Sequence, residues 1–234
     1  MGEYLPIVNY VLKLDGLDID PGLRSRLLTR LAHEEEGLTF DERRFDRFLN
    51  ILLYPRSYLD RIGELPAEKH YAYNFVGSLY SKRTYSSRKW IIDFAKSKFT
   101  EPSYYCINDP AEDYQAIGKY DVSLEQKGKR FVPRHTSWDE RQIYFDAEYF
   151  RVLKQSRFTL CPAGDAPWSM RFVEAIMCRS IPILEKPAHA GRNRKERAIG
   201  YRYYLIGDNH HYREDWVEEN HRRFLACQTL TVGV

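Results

Sequence analysis

Over roughly the first 70 residues, hydrophobic and polar positions follow the period of α-helices. Leucines at positions 23, 27, 28 and 31 form the apolar stripe of an amphipathic helix over Leu23–His33. Asp20 and Pro21 supply an N-cap and a proline at the first helical position. The pattern therefore predicts a first helix that starts at this Asp–Pro pair.

A second apolar stripe with helical spacing follows. It consists of Phe45, Phe48, Leu49 and Leu52. Thr39 has Glu42 three residues later, which is the arrangement of a capping box. We predict a helix that starts near Thr39 and stops before Pro55, followed by a polar connector over residues 60–69. Together these elements predict a helical N-terminal segment over residues 1–70.

From Tyr71 onward the pattern changes to short strands that alternate with helices. Runs rich in aromatic and β-branched residues, bounded by glycine, proline or polar residues, are typical of strands. The predicted strands are Tyr71–Gly77, Ser103–Asn108, Arg157–Cys161, Ile181–Leu184 and Tyr203–Ile206. The predicted helices are Arg88–Phe99, Tyr144–Gln155, Ser169–Met177 and Asp215–Cys227. This alternation predicts the α/β class, with a Rossmann-like parallel sheet covered by helices over residues 71–234.

The composition excludes several classes of protein. Of the 234 residues, 43% are hydrophobic, which is enough for a core and excludes global disorder. No apolar run approaches the roughly 18 residues of a membrane span, so we predict no membrane-spanning segment. Because no signal peptide is recognisable at the N-terminus, we expect a cytoplasmic location, or the Golgi lumen if the chain is a trimmed form.

The net charge and the spacing of the cysteines indicate whether the chain binds nucleic acid or a metal ion. A net charge of +3 is far from that of a dedicated nucleic-acid binder, although it suits a site for phosphates. We therefore expect no nucleic-acid partner. The four cysteines form neither a CxxC pair nor a zinc-type pattern with histidine, so we predict no metal and no other cofactor.

One strand–loop–helix unit carries the candidate chemistry. After the strand Arg157–Cys161, Gly164 allows the backbone of the loop to approach a ligand closely. Ser169 stands at the start of the next helix, where unpaired N–H groups and the helix dipole favour a phosphate. Arg171 in the first turn could pair with a diphosphate, and Glu174 one turn later could bind both hydroxyls of a ribose. These residues predict a nucleotide-sugar site, although Gly164 alone could simply make a turn and Glu174 alone could be a solvated side chain.

The same unit resembles a known family. The segments Ser156–Asp165, Trp168–Ala175 and Ser180–Ile183 are similar to the signature of exostosin-like (GT47-like) glycosyltransferases. This resemblance implies a GT-B-type lobe that binds a nucleotide sugar, with UDP as the favoured carrier. It further implies transfer of the sugar to a glycan acceptor with inversion and without an essential metal.

The resemblance assigns individual residues of the donor site. Gly164, Ser169, Arg171 and Glu174 match the donor-binding positions of the family. The strand that ends in Gly77, followed by Arg83 and Arg88, is similar to an earlier family element whose arginine faces the diphosphate. The resemblance therefore implies that Arg83 or Arg88 neutralises the leaving group, while a charged loop that is merely solvated remains the alternative.

The catalytic base stays open among three residues. An inverting transfer needs a carboxylate or an imidazole near the attacking hydroxyl. Asp165 follows Gly164 at the tip of the loop, and His135 and Asp109 are the rival candidates. An ordinary Asx turn is the alternative role for Asp165.

Two other functions remain open beside the favoured one. A fucosyltransferase-like GT-B enzyme with a GDP-sugar donor would have a similar loop–helix–glutamate unit. A non-catalytic nucleotide- or glycan-binding lobe that acts with a partner is the second alternative, because residues 1–70 are predicted to be helical. This segment is interpreted as a reduced acceptor lobe, or else a second copy or a partner subunit completes the site.

Overall fold

The computed structural model describes residues 11, 14–32, 44–77, 79, 88–99, 102–107, 146–164 and 166–229. Seven strands lie in these residues: β1 (Arg44–Asp46), β2 (Ile51–Leu53), β3 (Tyr71–Gly77), β4 (Tyr104–Ile107), β5 (Ser156–Leu160), β6 (Ile181–Leu184) and β7 (Tyr204–Leu205). Seven α-helices accompany them: α1 (Pro21–Ala32), α2 (Arg56–Gly63), α3 (Lys89–Lys98), α4 (Ala147–Lys154), α5 (Met170–Met177), α6 (Arg194–Arg197) and α7 (Glu214–Cys227).

The predicted parallel sheet is confirmed. Five strands pair in the order β4-β3-β5-β6-β7, and every neighbouring pair is parallel. Because both faces are covered by helices, the central strands are nearly continuous runs of buried residues, and β6 is buried at all four positions. All five strands predicted from residue 71 onward are present, with ends that differ by one residue at most. The chain therefore has the α/β, Rossmann-like architecture that the sequence predicts.

A buried polar network joins the central strands to the start of β6. The Asn74 amide donates to the Thr159 hydroxyl at 2.7 Å and to the Phe158 carbonyl at 3.1 Å. The Thr159 hydroxyl lies 2.8 Å from the Ser180 hydroxyl. These side chains are fully or almost fully buried, so each hydrogen bond replaces one that water would otherwise make. The network holds β3 and β5 in register below the edge where the candidate site lies.

The first predicted helix is confirmed, and its cap has the expected geometry. The Leu23 backbone N–H donates to Asp20 Oδ1 at 2.9 Å, and α1 begins at Pro21. The aspartate satisfies one of the N–H groups that a helix start leaves unpaired. Leu23 and Leu27 are fully buried, as the amphipathic stripe requires.

The second predicted helix is wrong where the structure describes it, because residues 44–53 form the antiparallel hairpin of β1 and β2. The turn is favoured locally, since Asp46 Oδ1 accepts from the Leu49 N–H at 2.8 Å and Asn50 adopts a left-handed φ of 58°. Distant residues hold the second strand, because the Leu52 N–H donates to Glu196 Oε1 at 2.9 Å and the Gln228 amide donates to the Leu52 carbonyl. The spacing of apolar residues in the sequence cannot indicate hydrogen bonds to residues so far along the chain.

The predicted polar connector over residues 60–69 also begins too early. Helix α2 extends to Gly63, with Tyr58 and Ile62 buried and Arg56 paired with Asp60 at 2.9 Å. Only the residues after this helix form a connection to β3.

Two large apolar clusters cover the two faces of the sheet, and a third, small one joins β3 and β4 to α4. One cluster unites buried residues of α1, β2 and α2 with those of α4, α5 and α7. The other lies between α3 and the opposite face of β3, β5 and β6. The described part of the N-terminal segment therefore packs against the α/β part, while its division from that part at residue 70 stays a prediction.

At the amino-terminal edge of the sheet, a cavity of about 500 Å³ lies among α2, α4, α5 and α7. Lys154 is 8% exposed, and its ammonium donates to the carbonyls of Ile62, Gly63 and Leu65 at the end of α2. The lysine thus serves as a cap for the last carbonyl groups of that helix. His221 of α7 also lines the cavity.

The His221 imidazole makes the stability of the fold sensitive to acid. Burial, with the positive charge of Arg179 as a smaller cause, lowers the pKa of His221 from 6.5 to about 4. Its Nδ1 is buried without a hydrogen-bond partner among the described residues. A backbone hydrogen bond to Ile176 favours the charged ring, but it does not offset the burial, and a proton added at Nδ1 meets no acceptor among the described residues.

We expect the chain to lose stability at mildly acidic pH through this residue. Between pH 6.5 and 4 the unfolded state binds a proton at His221 that the folded state does not, so the free energy of unfolding falls as pH falls. From pH 7 to pH 5 the loss amounts to about 2 kcal/mol. Denaturant unfolding of the wild type and of His221→Phe at both pH values measures it. Equal pH dependence in the two proteins would contradict the assignment.

Candidate active site

The carboxyl ends of β3 and β5 lie side by side at one edge of the sheet, next to the amino end of α5. The two strands pair directly, with Asn74 opposite Thr159. Gly77 ends β3, and the loop after β5 leads to Ser169 at the start of α5. In open α/β sheets this edge is where ligands bind.

The loop after β5 is compact. The Gly164 N–H donates to the Trp168 carbonyl at 3.1 Å, which closes the loop on itself. A Cβ atom at position 164 would lie 3.2 Å from that carbonyl oxygen, so a larger residue would push the two sides of the loop apart. Ala163 is fully buried below it. Gly164 therefore has a turn-forming role here, which is compatible with ligand contact on the outer side of the loop.

Ser169 holds the N-cap position of α5 without using its side chain as a cap. Its backbone is extended, at φ −136° and ψ 153°, and the hydroxyl makes no capping bond. The Ser169 Oγ is buried and has no hydrogen-bond partner among the described residues. Since a buried hydroxyl normally finds a partner, Ser169 Oγ is a candidate to bind a ligand.

Arg171 reaches from α5 to the end of β3. Its Nη2 donates to the Val76 carbonyl, and its guanidinium carbon lies 5.2 Å from the centre of the Phe75 ring. Gly77 makes this approach possible, because a Cβ at position 77 would lie 2.5 Å from Nη2. The Arg171 Nε is buried and has no partner in the described part of the chain.

Ser169 Oγ and Arg171 Nε together form a donor pair at the first turn of α5. Both are hydrogen-bond donors, and leaving a buried donor unpaired costs about 1–3 kcal/mol. The amino end of α5 adds the positive end of the helix dipole. Phosphate oxygens would accept from both groups, so this end of α5 is a candidate site for an anion.

Glu174 lies on the same side of α5, one turn after Arg171, and is 8% exposed. Its Oε2 accepts a hydrogen bond of 2.7 Å from the Tyr149 hydroxyl of α4. Burial and the neighbouring Glu174 carboxylate raise the pKa of Tyr149 well above 10, so the phenol remains a donor. Tyr149 is a residue of the site that the sequence analysis missed.

The Cys161 thiol is close to these charges but is unsuited to act as a nucleophile. Burial raises the pKa of Cys161 to about 12, so the reactive thiolate is not formed near neutral pH. Its Sγ lies 3.3 Å from the Thr159 carbonyl. Cys161 therefore packs as a small apolar residue below the loop.

Of the other predicted site residues, only Arg88 is described. Its Nε donates to the Ala163 carbonyl at 3.0 Å, so it contacts the loop after β5. Arg83, Asp165 and His135 lie outside the described residues, as does the rival base Asp109. The roles predicted for all of them, and for the donor-site residues, stay predictions.

Two kinds of feature are absent from the described residues. No set of three histidine, cysteine, aspartate or glutamate residues there is grouped closely enough to hold a metal ion. Within the same residues, no helix has the length and apolar character needed to cross a membrane.

Comparison with known proteins identifies relatives of the sequence that forms this site. A sequence profile described as the Exostosin GT47 domain matches residues 72–195, more than half of the chain. Two curated proteins of Oryza sativa subsp. japonica are each 35% identical over 81 residues, "Probable glucuronosyltransferase GUT1" and "Probable glucuronosyltransferase Os01g0926600". The match covers 35% of this chain and 18% of each relative. The chain thus corresponds to a minor part of those proteins.

Proposed function

The chain belongs to the exostosin GT47 family of glycosyltransferases, and from this premise we propose that it transfers a sugar from a nucleotide-sugar donor to a hydroxyl group of a glycan acceptor. UDP is the proposed carrier. The observation that supports the proposal most directly is that two buried donors at the amino end of α5, Ser169 Oγ and Arg171 Nε, have no hydrogen-bond partner among the described residues.

The donor would lie across the carboxyl edge of the sheet. Its diphosphate would accept hydrogen bonds from Ser169 and Arg171, beside the loop that contains Gly164. Glu174 would accept hydrogen bonds from the ribose hydroxyls while Tyr149 holds its other side. The diphosphate would thus provide partners for Ser169 Oγ and Arg171 Nε, and the ribose would bind the carboxylate that Tyr149 orients.

The proposed reaction is a single displacement that inverts the anomeric carbon. The acceptor oxygen forms a bond to that carbon as the bond to the diphosphate oxygen breaks, and UDP leaves. A base takes the acceptor proton, for which Asp165, His135 and Asp109 remain the candidates. Arg171, with Arg83 or Arg88, would stabilise the charge that develops on the departing diphosphate, so no metal ion is required.

The two rice relatives are named as probable glucuronosyltransferases, so UDP-glucuronic acid belongs in any panel of donors. Acceptor binding would use residues outside the described donor edge, a second copy of the chain or a partner subunit. The cellular compartment in which transfer takes place also stays a prediction.

Thermal unfolding with nucleotides tests the donor site. At a concentration of one hundred times its dissociation constant, UDP is expected to stabilise the folded chain by about 2.7 kcal/mol. GDP and CMP at the same concentration should stabilise it less. Release of UDP from a UDP-sugar in the presence of glycan acceptors then measures turnover.

The outcomes separate the proposed function from its alternatives. Stabilisation by GDP alone would favour the fucosyltransferase-like alternative. Binding of UDP with turnover only after a second protein is added would favour a binding lobe that needs a partner. No stabilisation by any nucleotide would overturn the donor site itself.

A further inference from the structure

Two buried polar atoms in the residues after β6 have no hydrogen-bond partner in the described part of the chain. Glu185 directly follows β6, and its Oε2 is buried without a hydrogen bond to any described residue. His189 is 2% exposed, and its Nδ1 is likewise buried and unpartnered. None of the functions assigned above uses either side chain.

Both residues lie at the carboxyl edge of the sheet, beside the proposed donor site. The Cys161 N–H donates to the Ile183 carbonyl at 2.9 Å, and the Ile206 N–H donates to the Leu184 carbonyl at 3.0 Å. Glu185 therefore emerges from the sheet between the loop after β5 and the end of β7. His189 follows in a single 3-10 turn over Pro187–His189.

Local pairing does not satisfy these atoms. No ion pair joins Glu185 to His189 or to any other described residue, although Glu185 is close enough for its charge to raise the pKa of His189. Burial has the larger effect and lowers that pKa, so the ring is neutral at pH 7. Lys186, the other charged neighbour of His189, is exposed, and water screens its ammonium.

The chemistry of the two atoms matches sugar hydroxyl groups. An ionised carboxylate only accepts hydrogen bonds, whereas a neutral imidazole has one nitrogen that donates and one that accepts. A hydroxyl both donates and accepts, so neighbouring hydroxyls of one sugar ring can satisfy both atoms. A carboxylate on the sugar would instead meet the Glu185 carboxylate in a partly buried place, where like charges repel strongly.

We propose that Glu185 and His189 form the subsite for the transferred sugar, and that this sugar is neutral rather than a uronic acid. The inference rests on the proposed function, because it assigns one part of the same nucleotide-sugar donor. Glu185 accepts from a ring hydroxyl and His189 bonds a neighbouring hydroxyl. The carboxylate thereby selects against a negatively charged donor sugar.

Calorimetric titration with three ligands tests this subsite. UDP, UDP-glucose and UDP-glucuronic acid are titrated into the wild type, Glu185→Gln, His189→Phe and the control Glu68→Gln, whose side chain is 81% exposed. We expect the wild type to bind UDP-glucose about tenfold more tightly than UDP-glucuronic acid, because the Glu185 carboxylate accepts from a glucose hydroxyl and repels the glucuronate carboxylate. Glu185→Gln should remove this preference, and both site variants should weaken UDP-glucose while leaving UDP binding unchanged.

The three ligands separate failure of the subsite from failure of the donor site. A wild type that binds UDP-glucuronic acid at least as tightly as UDP-glucose overturns the inference, as does a Glu185→Gln variant that keeps the preference. A wild type that does not bind UDP overturns the proposed function, and the subsite with it. Since Glu185→Gln and His189→Phe nearly preserve side-chain size, equal melting temperatures identify folded variants. Unchanged binding of UDP-glucose by a folded His189→Phe variant likewise overturns the inference.

Discussion

Replacing Arg171 by methionine is expected to lower kcat/KM for the nucleotide-sugar donor by about a hundredfold or more. The guanidinium would stabilise negative charge on the departing diphosphate, and removing one such donor commonly costs about 10²–10³ in rate. Methionine keeps much of the side-chain length and packing over Phe75. Initial rates of UDP release at varied donor concentration measure the effect.

Two further variants separate charge from geometry at this position. Arg171→Lys retains the positive charge but loses the planar guanidinium, whose Nη2 donates to the Val76 carbonyl while its buried Nε is available to the diphosphate. This variant should therefore recover only a small part of the transferase activity. Arg222→Met removes an exposed arginine of α7 and should leave the rate unchanged. Activity of Arg171→Met within threefold of the wild type would refute a role in stabilising the leaving group.

The second large effect is expected from Glu174→Gln, which should weaken UDP binding by about a hundredfold. A carboxylate that accepts from both ribose hydroxyls makes two charge-assisted hydrogen bonds, each worth about 1.5–3 kcal/mol. The variant keeps the size of the side chain and can still accept from Tyr149. Titration with UDP and with its 2′,3′-dideoxy analogue measures the contribution of the hydroxyls.

The dideoxy analogue makes this prediction specific for the ribose. The wild type should bind the analogue about as weakly as Glu174→Gln binds UDP, and the variant should not distinguish the two ligands. Tyr149→Phe should lie between the wild type and Glu174→Gln, because it frees the carboxylate without removing it. If Glu174→Gln weakened both ligands equally, the glutamate would act on the fold rather than on the ribose.

The sheet could be predicted from the sequence because its signals are local. Each central strand is a short apolar run bounded by breakers, and strands and helices alternate from Tyr71 to Cys227. The N-terminal hairpin could not be predicted from local pattern, because its stability depends on partners far along the chain. Leu52, for example, bonds a carboxylate 144 residues away.

In the candidate site too, the residues that are close together in the sequence could be predicted, whereas the contacts between separate elements could not. Gly164, Ser169, Arg171 and Glu174 lie within eleven consecutive residues, so one strand–loop–helix pattern indicates them all. Tyr149 meets Glu174 from a separate helix, and Gly77 meets Arg171 from a separate strand. No spacing in the sequence reports these contacts, since they arise only when the sheet is assembled.

The packing of the N-terminal elements has a practical consequence for dissection of the chain. A fragment that begins at Tyr71 would lose Leu23, Leu27 and Ile51, which belong to the same apolar cluster as Phe172 and Phe224. The uncovered faces of α5 and α7 would then form a water-exposed apolar patch, and such patches promote self-association. Because α5 also carries the proposed donor contacts, a minimal nucleotide-binding unit would have to retain the first two helices and the hairpin between them.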